Sequence, residues 1–216
     1  TMQSKTVLLI CLLGISLCTG NLFDTLYRDD DGVLRVPKAE LDSAPYPEWA
    51  HHHWVWLSND QESQSAEIDF VDGFLERDIP VGAVDIDSMW SVGINNFVWN
   101  TDKFPNATEM VNYFHSKGIK VILWVTSMVD TDSPNYQEGK DNHYYMDNGV
   151  TIKWWHGHGS FIDYTYPEAM DWWHMQMDYV LDIGIDGWKC DGTDPYVFEL
   201  GGVVHGQNGW LTEAEY

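Results

Sequence analysis

Residues 185–194, IDGWKCDGTD, place a lysine and an aspartate two positions apart in a short hydrophobic run. The run is bounded by Gly184 and Gly192 and is too short for a stable helix, which favours a buried parallel strand. Side chains two positions apart in a strand share a face, so Lys189 would favour the ionised form of Asp191. An ionised carboxylate at the end of a strand can act as a nucleophile. The alternative is a strand that ends in the turn-forming pair Asp-Gly.

More polar and aromatic side chains follow the other predicted strands. Asp85 and Asp87 end one run, and Trp124 ends the next. Glycoside hydrolysis uses paired carboxylates, one attacking the anomeric carbon and one protonating the leaving oxygen. Asp85 is better suited to bind sugar hydroxyls, because a charged acceptor makes strong hydrogen bonds, and a cap for the next turn is the alternative. The long segment before the last strand adds four more rings, Trp154, Trp155, His156 and His158.

Predicted strands and helices alternate from residue 51 onwards. The predicted strands, rich in β-branched and aromatic residues, are 53–57, 81–86, 119–125 and 185–191. Apolar residues at helical spacing predict helices at 61–77, at 107–117 after a cap by Asn106 and Glu109, and after a capping box at Thr165 and Glu168. This order predicts an α/β fold, a partial (β/α)8 TIM barrel with the first three βα units and the fourth strand, whose carboxyl ends face the active site. A complete barrel needs about 250 residues, and the chain has 216.

The composition narrows the class of partner. Eleven basic and 34 acidic residues give a net charge of −23, which repels nucleic acid and anionic membranes. Most of the acidic residues are dispersed, as expected of a soluble extracellular surface. Twelve Trp and eleven Tyr could stack on sugars, although most aromatic residues in any protein fill the core. We therefore expect a carbohydrate substrate and neither nucleic acid nor a membrane as partner.

Residues 1–20 predict a signal peptide. Lys5 precedes an apolar run that is too short to span a membrane, and Cys18 and Gly20 suit cleavage before Asn21. We expect a secreted protein or one in the secretory pathway or lysosomal lumen. Residues 21–50 read as an irregular lead-in, and residues 51–216 as the barrel segment.

Two single residues, Asn106 and Cys190, are relevant to the expected secretory pathway. Asn106 begins the sequon Asn-Ala-Thr and is the expected glycosylation site. Cys190 stands alone once the predicted signal peptide is removed, so we expect no intrachain disulfide and a packing role for this thiol.

Four sequence blocks resemble the successive barrel blocks of glycoside hydrolase family 31. They are VDIDSMW, NTDKFPN with MVNYFHSKGIKVILWV, WWHGHGSFIDYTYPEAMDWW and DGWKCDGTDPY. The blocks cover residues 54–196 in the family's order and spacing, and together they are far more specific than any one of them. The resemblance implies a retaining α-glycosidase built on a TIM barrel.

By this resemblance Asp191 is the expected catalytic nucleophile, and Asp85 the expected ligand of the sugar at the non-reducing end. Lys189 stands where many α-glucosidases of the family carry Trp, and it resembles the lysine of the xylosidase-like and galactosidase-like branches. We therefore expect Lys189 to contact substrate, which argues against a strict maltase. The other substrate-binding residues that the resemblance implies are Ile86, Trp124 and Trp155, the last as a wall in the block that resembles the family's W-P-G loop.

The chain also departs from the family pattern. Asp194 stands where the family commonly carries Glu, which implies a shorter acidic arm. By the resemblance we expect these residues to lack the β-sandwich that precedes the family's barrel, and we expect the acid/base aspartate to come later than Tyr216, so no acid/base residue is assigned. We therefore expect an N-terminal half-barrel without turnover of its own, with an exposed strand edge and exposed apolar helix faces.

Three alternatives remain open at this stage. One is a barrel that binds glycans without cleaving them, and another is an α-galactosidase of a related barrel family, in which a Lys-X-Asp strand also occurs. The KFPN and long-loop blocks favour family 31 over the galactosidase. A metal site would need the histidines at 51–53 with His156 and His158, but adjacent strand residues alternate faces and the sequence has no metal-ligand helix motif. We expect no metal and no cofactor.

Overall fold

The computed structural model describes residues 27–28, 34–35, 47–192, 203–212 and 215–216. The chain divides into two units, residues 1–48 and residues 49–216. In the first unit, β1 (Tyr27–Arg28) and β2 (Leu34–Arg35) pair antiparallel. The predicted signal peptide, most of the lead-in and Asp194 lie outside the described residues.

The second unit is organised around a four-stranded parallel sheet. Its strands are β3 (His53–Trp56), β4 (Val81–Ile86), β5 (Lys120–Val125) and β9 (Gly187–Cys190), and they lie side by side in chain order. The connections between successive strands contain the helices α1 (Gln64–Leu75), α2 (Ala107–Ser116) and α4 (Pro167–Leu181). Parallel neighbours joined by helices are the repeating unit of a (β/α) barrel, so the predicted α/β fold with a partial barrel is confirmed.

The start of α2 follows the sequence prediction. The Asn106 side chain accepts a hydrogen bond from the backbone N–H of Glu109, at 3.1 Å. Its amide also donates to the Glu109 carboxylate, at 2.9 Å. One exposed side chain therefore satisfies an unpaired N–H of the first helical turn and contacts the acidic residue of that turn.

The capping box predicted at Thr165 is wrong. The structure starts α4 at Pro167, a residue suited to the first helical position, and the preceding Tyr166 makes no side-chain cap. The Thr165 hydroxyl donates instead to the carboxylate of Asp163, at 2.6 Å. Thr165 therefore lies one position before the N-cap residue, and its hydroxyl bonds to the buried Asp163 rather than to the helix.

Fully buried side chains from the sheet and the helices fix the strand positions. Ile86 and Leu123 on the sheet, and Met110 and Phe114 on α2, are all 0% exposed. Burial of side chains of this size contributes roughly 1.5–3 kcal/mol each. The helix face and the sheet share this core, which holds the strand ends in place relative to one another.

The segment between β5 and α4, predicted as a long loop, is an ordered subdomain. It contains α3 (Tyr136–Asp141) and a three-stranded antiparallel sheet of β6 (Met128–Asp130), β8 (His158–Phe161) and β7 (Ile152–Lys153). A Cβ on Gly159 would lie 2.8 Å from the carbonyl oxygen of Val129, so only glycine allows β8 to approach β6 this closely. Strands of two to four residues are too short for the sequence pattern to reveal. Farther along the chain, β10 (Val203–Gly206) pairs with β11 (Gly209–Thr212).

The two outer strands of the parallel sheet, and one helix, expose apolar surface. Trp54 and Trp56 on β3 are 43% and 49% exposed, and Tyr179 on α4 is 75% exposed. Cys190, expected to be a packing residue, is exposed, because no described strand covers the outer edge of β9. Among the described helices, none combines the length and the apolar character needed to cross a bilayer.

Candidate active site

Polar side chains converge where the strands of the parallel sheet end. Asp85 is the next-to-last residue of β4 and lies opposite Trp56 of β3, while Lys189 of β9 lies opposite Trp124 of β5. Asp191 follows the end of β9 directly. The carboxyl ends of parallel strands meet at one edge, which is the face that carries the active site in a barrel.

Lys189 forms its direct ion pairs with Asp85 and Asp87 at the end of β4 rather than with Asp191. Its Nζ donates to Asp87 Oδ2 at 2.7 Å and lies 3.7 Å from Asp85 Oδ2. It also lies 5.6 Å from the ring centre of Trp56, whose Nε1 donates to the same Asp87 oxygen at 2.8 Å. Partial burial opposes the charge of Lys189, but the hydrogen bond and the neighbouring carboxylates raise its pKa overall. The lysine therefore ties β9 to the end of β4.

Asp85 combines burial with an unused acceptor. Its side chain is 15% exposed, and burial raises its pKa to about 6, with Lys189 opposing the shift and Asp87 and Asp191 adding to it. Its Oδ1 is buried from solvent and has no hydrogen-bond partner among the described residues. At neutral pH this carboxylate is mostly ionised and can accept a hydrogen bond from a ligand hydroxyl.

Both side-chain oxygens of Asp191 are held in place, although the residue is exposed. The indole Nε1 of Trp124 donates to Oδ2 at 2.8 Å, and the backbone N–H of Gly192 donates to Oδ1 at 2.9 Å. The backbone of Asp191 is fixed as well, since its N–H donates to the Val125 carbonyl and its carbonyl accepts from the Thr126 hydroxyl. An oriented, solvent-accessible carboxylate of this kind is suited to attack an electrophilic carbon.

An aromatic wall extends from Asp191 into the subdomain. Trp124 is 2% exposed and stacks on Trp154, with ring centres 6.5 Å apart and planes at 24°. Trp154 in turn contacts Trp155, at 5.1 Å between ring centres. Trp155 is 58% exposed, so its ring is open to a ligand. Ile86, by contrast, is 0% exposed and lies in the core beneath the strand ends.

Asp130, which the sequence analysis did not single out, anchors this wall. Its Oδ1 accepts from Trp154 Nε1 at 2.7 Å, and its Oδ2 lies 2.5 Å from His156 Nδ1. The carboxylate is 3% exposed, and burial raises its pKa, although the contacts with His156 and Trp154 oppose the shift. The signal available in the sequence was its position, five residues beyond the end of β5 in the same segment as the tryptophans.

Two buried glutamates behind the site were also missed. Glu62 is 2% exposed and accepts the backbone N–H of Asp87, at 2.5 Å, and burial raises its pKa to about 7. Glu67 on α1 is 0% exposed, neither of its oxygens has a partner among the described residues, and burial raises its pKa to about 8. Glu67 lies four residues before the buried Val71, a position on the core-facing stripe that could have identified it.

The described residues contain no group of three His, Cys, Asp or Glu side chains arranged to hold a metal ion. Two surface cavities, of 380 and 430 Å³, lie away from the strand ends. One borders the start of α1, and the other lies between residues 96–99 and α4. Neither of these two cavities is lined by Asp85, Asp87 or Asp191.

Comparison with known proteins identifies relatives of this chain. Residues 43–215 match the family model described as the glycosyl hydrolases family 31 TIM-barrel domain. The alpha-xylosidase XylQ of Lactiplantibacillus pentosus is 30% identical over 172 residues, which are 76% of this chain and 21% of the relative. Alpha-glucosidase 2 of Bacillus thermoamyloliquefaciens is 30% identical over 179 residues, 80% of this chain and 21% of the relative. The chain thus spans about a fifth of the length of these relatives.

Solved structures share the fold. A family 31 dextranase of Flavobacterium johnsoniae, complexed with glucose, superposes with a TM-score of 0.67 and 21% identity, over 76% of this chain and 21% of the other. A family 31 alpha-xylosidase from a soil metagenome, complexed with xylose, gives a TM-score of 0.65 and 20% identity, over 74% and 24% of the two chains. The strand order, the strand-end site and the match over residues 43–215 agree, and the chain belongs to glycoside hydrolase family 31.

Proposed function

We propose that this chain supplies the nucleophile of a retaining α-glycosidase that hydrolyses terminal O-glycosyl bonds of carbohydrates. The observation that carries the proposal is Asp191, an exposed carboxylate at the end of β9 with both oxygens oriented by hydrogen-bond donors. It lies in one electrostatic cluster with Asp85 and Lys189. Family membership and the names of the relatives support glycoside hydrolysis as the chemistry.

In the first step, an oxygen of Asp191 bonds to the anomeric carbon and the bond from that carbon to the leaving oxygen breaks. The leaving oxygen takes a proton from an acid that lies outside the described residues. Water then attacks the anomeric carbon of the glycosyl ester, the Asp191 carboxylate leaves, and the former acid accepts the proton of the water. Two inversions at the anomeric carbon restore the original configuration.

The neighbouring side chains suit a sugar next to Asp191. The Asp85 carboxylate, whose side chain is 15% exposed, is an acceptor for a hydroxyl, and the exposed ring of Trp155 is a stacking surface. Lys189, with its side chain 37% exposed, has donors for a further hydroxyl. Trp124 contributes by orienting Asp191, and Ile86 by supporting β4 from the core.

We also propose that residues 51–216 form the N-terminal half of the catalytic barrel and have no turnover alone. The four parallel strands leave β3 and β9 as outer strands of the sheet in the described part of the chain. An outer strand leaves backbone N–H and C=O groups unpaired, and further strands would pair these groups in a closed barrel. The proposed acid/base residue would come from those strands, in a chain closer in length to the relatives.

Secretion and glycosylation belong to the same proposal. Asn106 is exposed at the start of α2, where a glycan on its side-chain nitrogen would point away from the core and displace only the contact with Glu109. A sequon at such a position fits passage through the secretory pathway.

The test uses the complete polypeptide that contains these residues, together with its Asp191→Ala variant, on a panel of aryl α-glycosides. Product configuration is followed by NMR during the first minutes of hydrolysis. We expect release of an α-configured sugar by the wild type and its loss in the variant. A β-configured product, or turnover that survives the substitution, would rule out Asp191 as the nucleophile. Binding of glycans without any turnover would instead favour a non-catalytic barrel.

A further inference from the structure

His156 and Trp155 form a corner on the aromatic wall. Their rings meet at 88°, with centres 5.4 Å apart, and Trp155 is 58% exposed. The His156 side chain is itself 32% exposed. A flat ring with a polar group standing at right angles to it offers a stacking surface for the C–H face of a sugar and a hydrogen-bonding group for a hydroxyl at the edge of that sugar.

The buried carboxylate of Asp130 fixes the orientation of the His156 imidazole. Its Nδ1 lies 2.5 Å from Asp130 Oδ2, and the other oxygen of that buried carboxylate accepts from Trp154 Nε1. With Nδ1 engaged by a carboxylate, Nε2 is the ring nitrogen left to contact a ligand. No hydrogen bond to Nε2 occurs within the described part of the chain.

The corner is connected to the carboxylate of Asp191 through stacked rings. Trp154, held by Asp130, stacks on Trp124, whose Nε1 donates to Asp191 Oδ2. The wall that carries His156 is therefore the wall that fixes the carboxylate. A sugar lying on Trp155 is within reach of the imidazole.

We infer that His156 is a further substrate-binding residue, whose Nε2 hydrogen-bonds a hydroxyl of the sugar that packs on Trp155, and that Asp130 is the positioning residue that holds it. The inference rests on the proposed function, because it assumes a neutral sugar as the ligand. Beyond the proposed function, it assigns His156 as a residue that distinguishes sugars by the presence of one hydroxyl.

The test compares His156→Ala with wild type in the complete polypeptide. KM for p-nitrophenyl α-glucoside and α-xyloside is expected to rise threefold to tenfold, the range that one hydrogen bond supports, while kcat stays within about threefold. His158→Ala, which removes another exposed histidine two residues away, is the matched control and should leave KM unchanged. Monodeoxy glycosides sharpen the comparison. The glycoside that lacks the hydroxyl bound by His156 should have the same raised KM with wild type as the parent glycoside has with His156→Ala. Its own KM should not change when His156 is replaced.

Asp130→Asn tests the positioning role. It should raise KM as His156→Ala does, and it should add little further loss in the His156→Ala background, with the Trp fluorescence of the folded protein retained. If Asp130→Asn raises KM by the same factor in wild type and in the His156→Ala background, Asp130 does not act through His156 and the positioning role is wrong. A KM that does not change in His156→Ala, or an equal loss with every monodeoxy sugar, would overturn the inference for His156.

Binding of maltose and isomaltose to the Asp191→Ala background, measured by calorimetry, separates this inference from the proposed function. If Asp191→Ala still turns over substrate, the proposed function fails, and the affinity difference made by His156→Ala still decides the inference. If neither sugar binds and no glycoside is hydrolysed, both are wrong.

Discussion

Glu67 gives the sharpest prediction for stability. It is 0% exposed, with a pKa raised from 4.5 to about 8 by burial first and then by the charges of Glu62 and Asp85. The folded state therefore holds this proton more tightly than the unfolded chain does. Because the folded pKa is the higher one, the contribution of the proton to stability is complete below pH 4.5 and is lost as the pH rises through 8.

Glu67→Gln removes this pH dependence, because the amide is neutral at every pH. Linkage across the shift gives an advantage of the variant over wild type in the free energy of unfolding of about 1 kcal/mol at pH 5, about 3 at pH 7 and about 5 at pH 9. Urea unfolding at the three pH values, followed by Trp fluorescence, measures the difference. Glu76→Gln, which changes an exposed glutamate just beyond α1, is the matched control and should shift stability by less than about 0.5 kcal/mol. A difference between Glu67→Gln and wild type that does not grow with pH would refute the reasoning.

Three further predictions concern the site and its surroundings. Trp124→Phe replaces the indole with a smaller aromatic ring and removes the N–H that orients Asp191, and we expect kcat to fall by about 10- to 100-fold with little change in KM, measured on aryl glycosides. Asn106→Ala should remove both the helix cap and the proposed glycan and destabilise the fold by about 1 kcal/mol. Thr108→Ala should remove the proposed glycan alone, and thermal unfolding with mass measurement of protein expressed through a secretory pathway distinguishes the two variants. Lys189→Met leaves Asp85 and Asp87 without their neighbouring cation, so the pKa of Asp85, already raised to about 6, should rise further and the acidic limb of the pH profile should move to higher pH. An acidic limb that stays in place would contradict the ion-pair geometry.

The regular βα units could be predicted from the sequence because periodicity and caps are local signals. The strand at residues 81–86 agrees with β4, and the Asn106 cap makes the predicted hydrogen bond. The cap predicted at Thr165 failed because Tyr166 occupies the N-cap position, one residue later than the pattern indicated. A shift of one residue at a helix start is beyond what the local pattern determines.

The sequence predicted which residues lie at the strand ends of the site, but not the contacts that hold them in place. The sequence placed Lys189 and Asp191 on one predicted strand, which suggested a direct pair, yet the ion pairs of Lys189 are with Asp85 and Asp87 at the end of β4. Asp130 was missed because the segment that carries it folds through strands of two to four residues. Glu67 was missed because a charged residue on an amphipathic helix is ordinarily assigned to the solvent face, and only its spacing from Val71 indicated otherwise.

Trapping of the covalent intermediate tests the central claim most directly. A slow glycosyl fluoride substrate is incubated with the complete polypeptide, and the labelled protein is digested and sequenced by mass spectrometry. The account predicts one sugar bound as an ester to the carboxylate of Asp191. A sugar attached to any other residue would contradict this assignment. Steady turnover that gives a product of inverted configuration, with no labelled protein, would contradict the retaining mechanism.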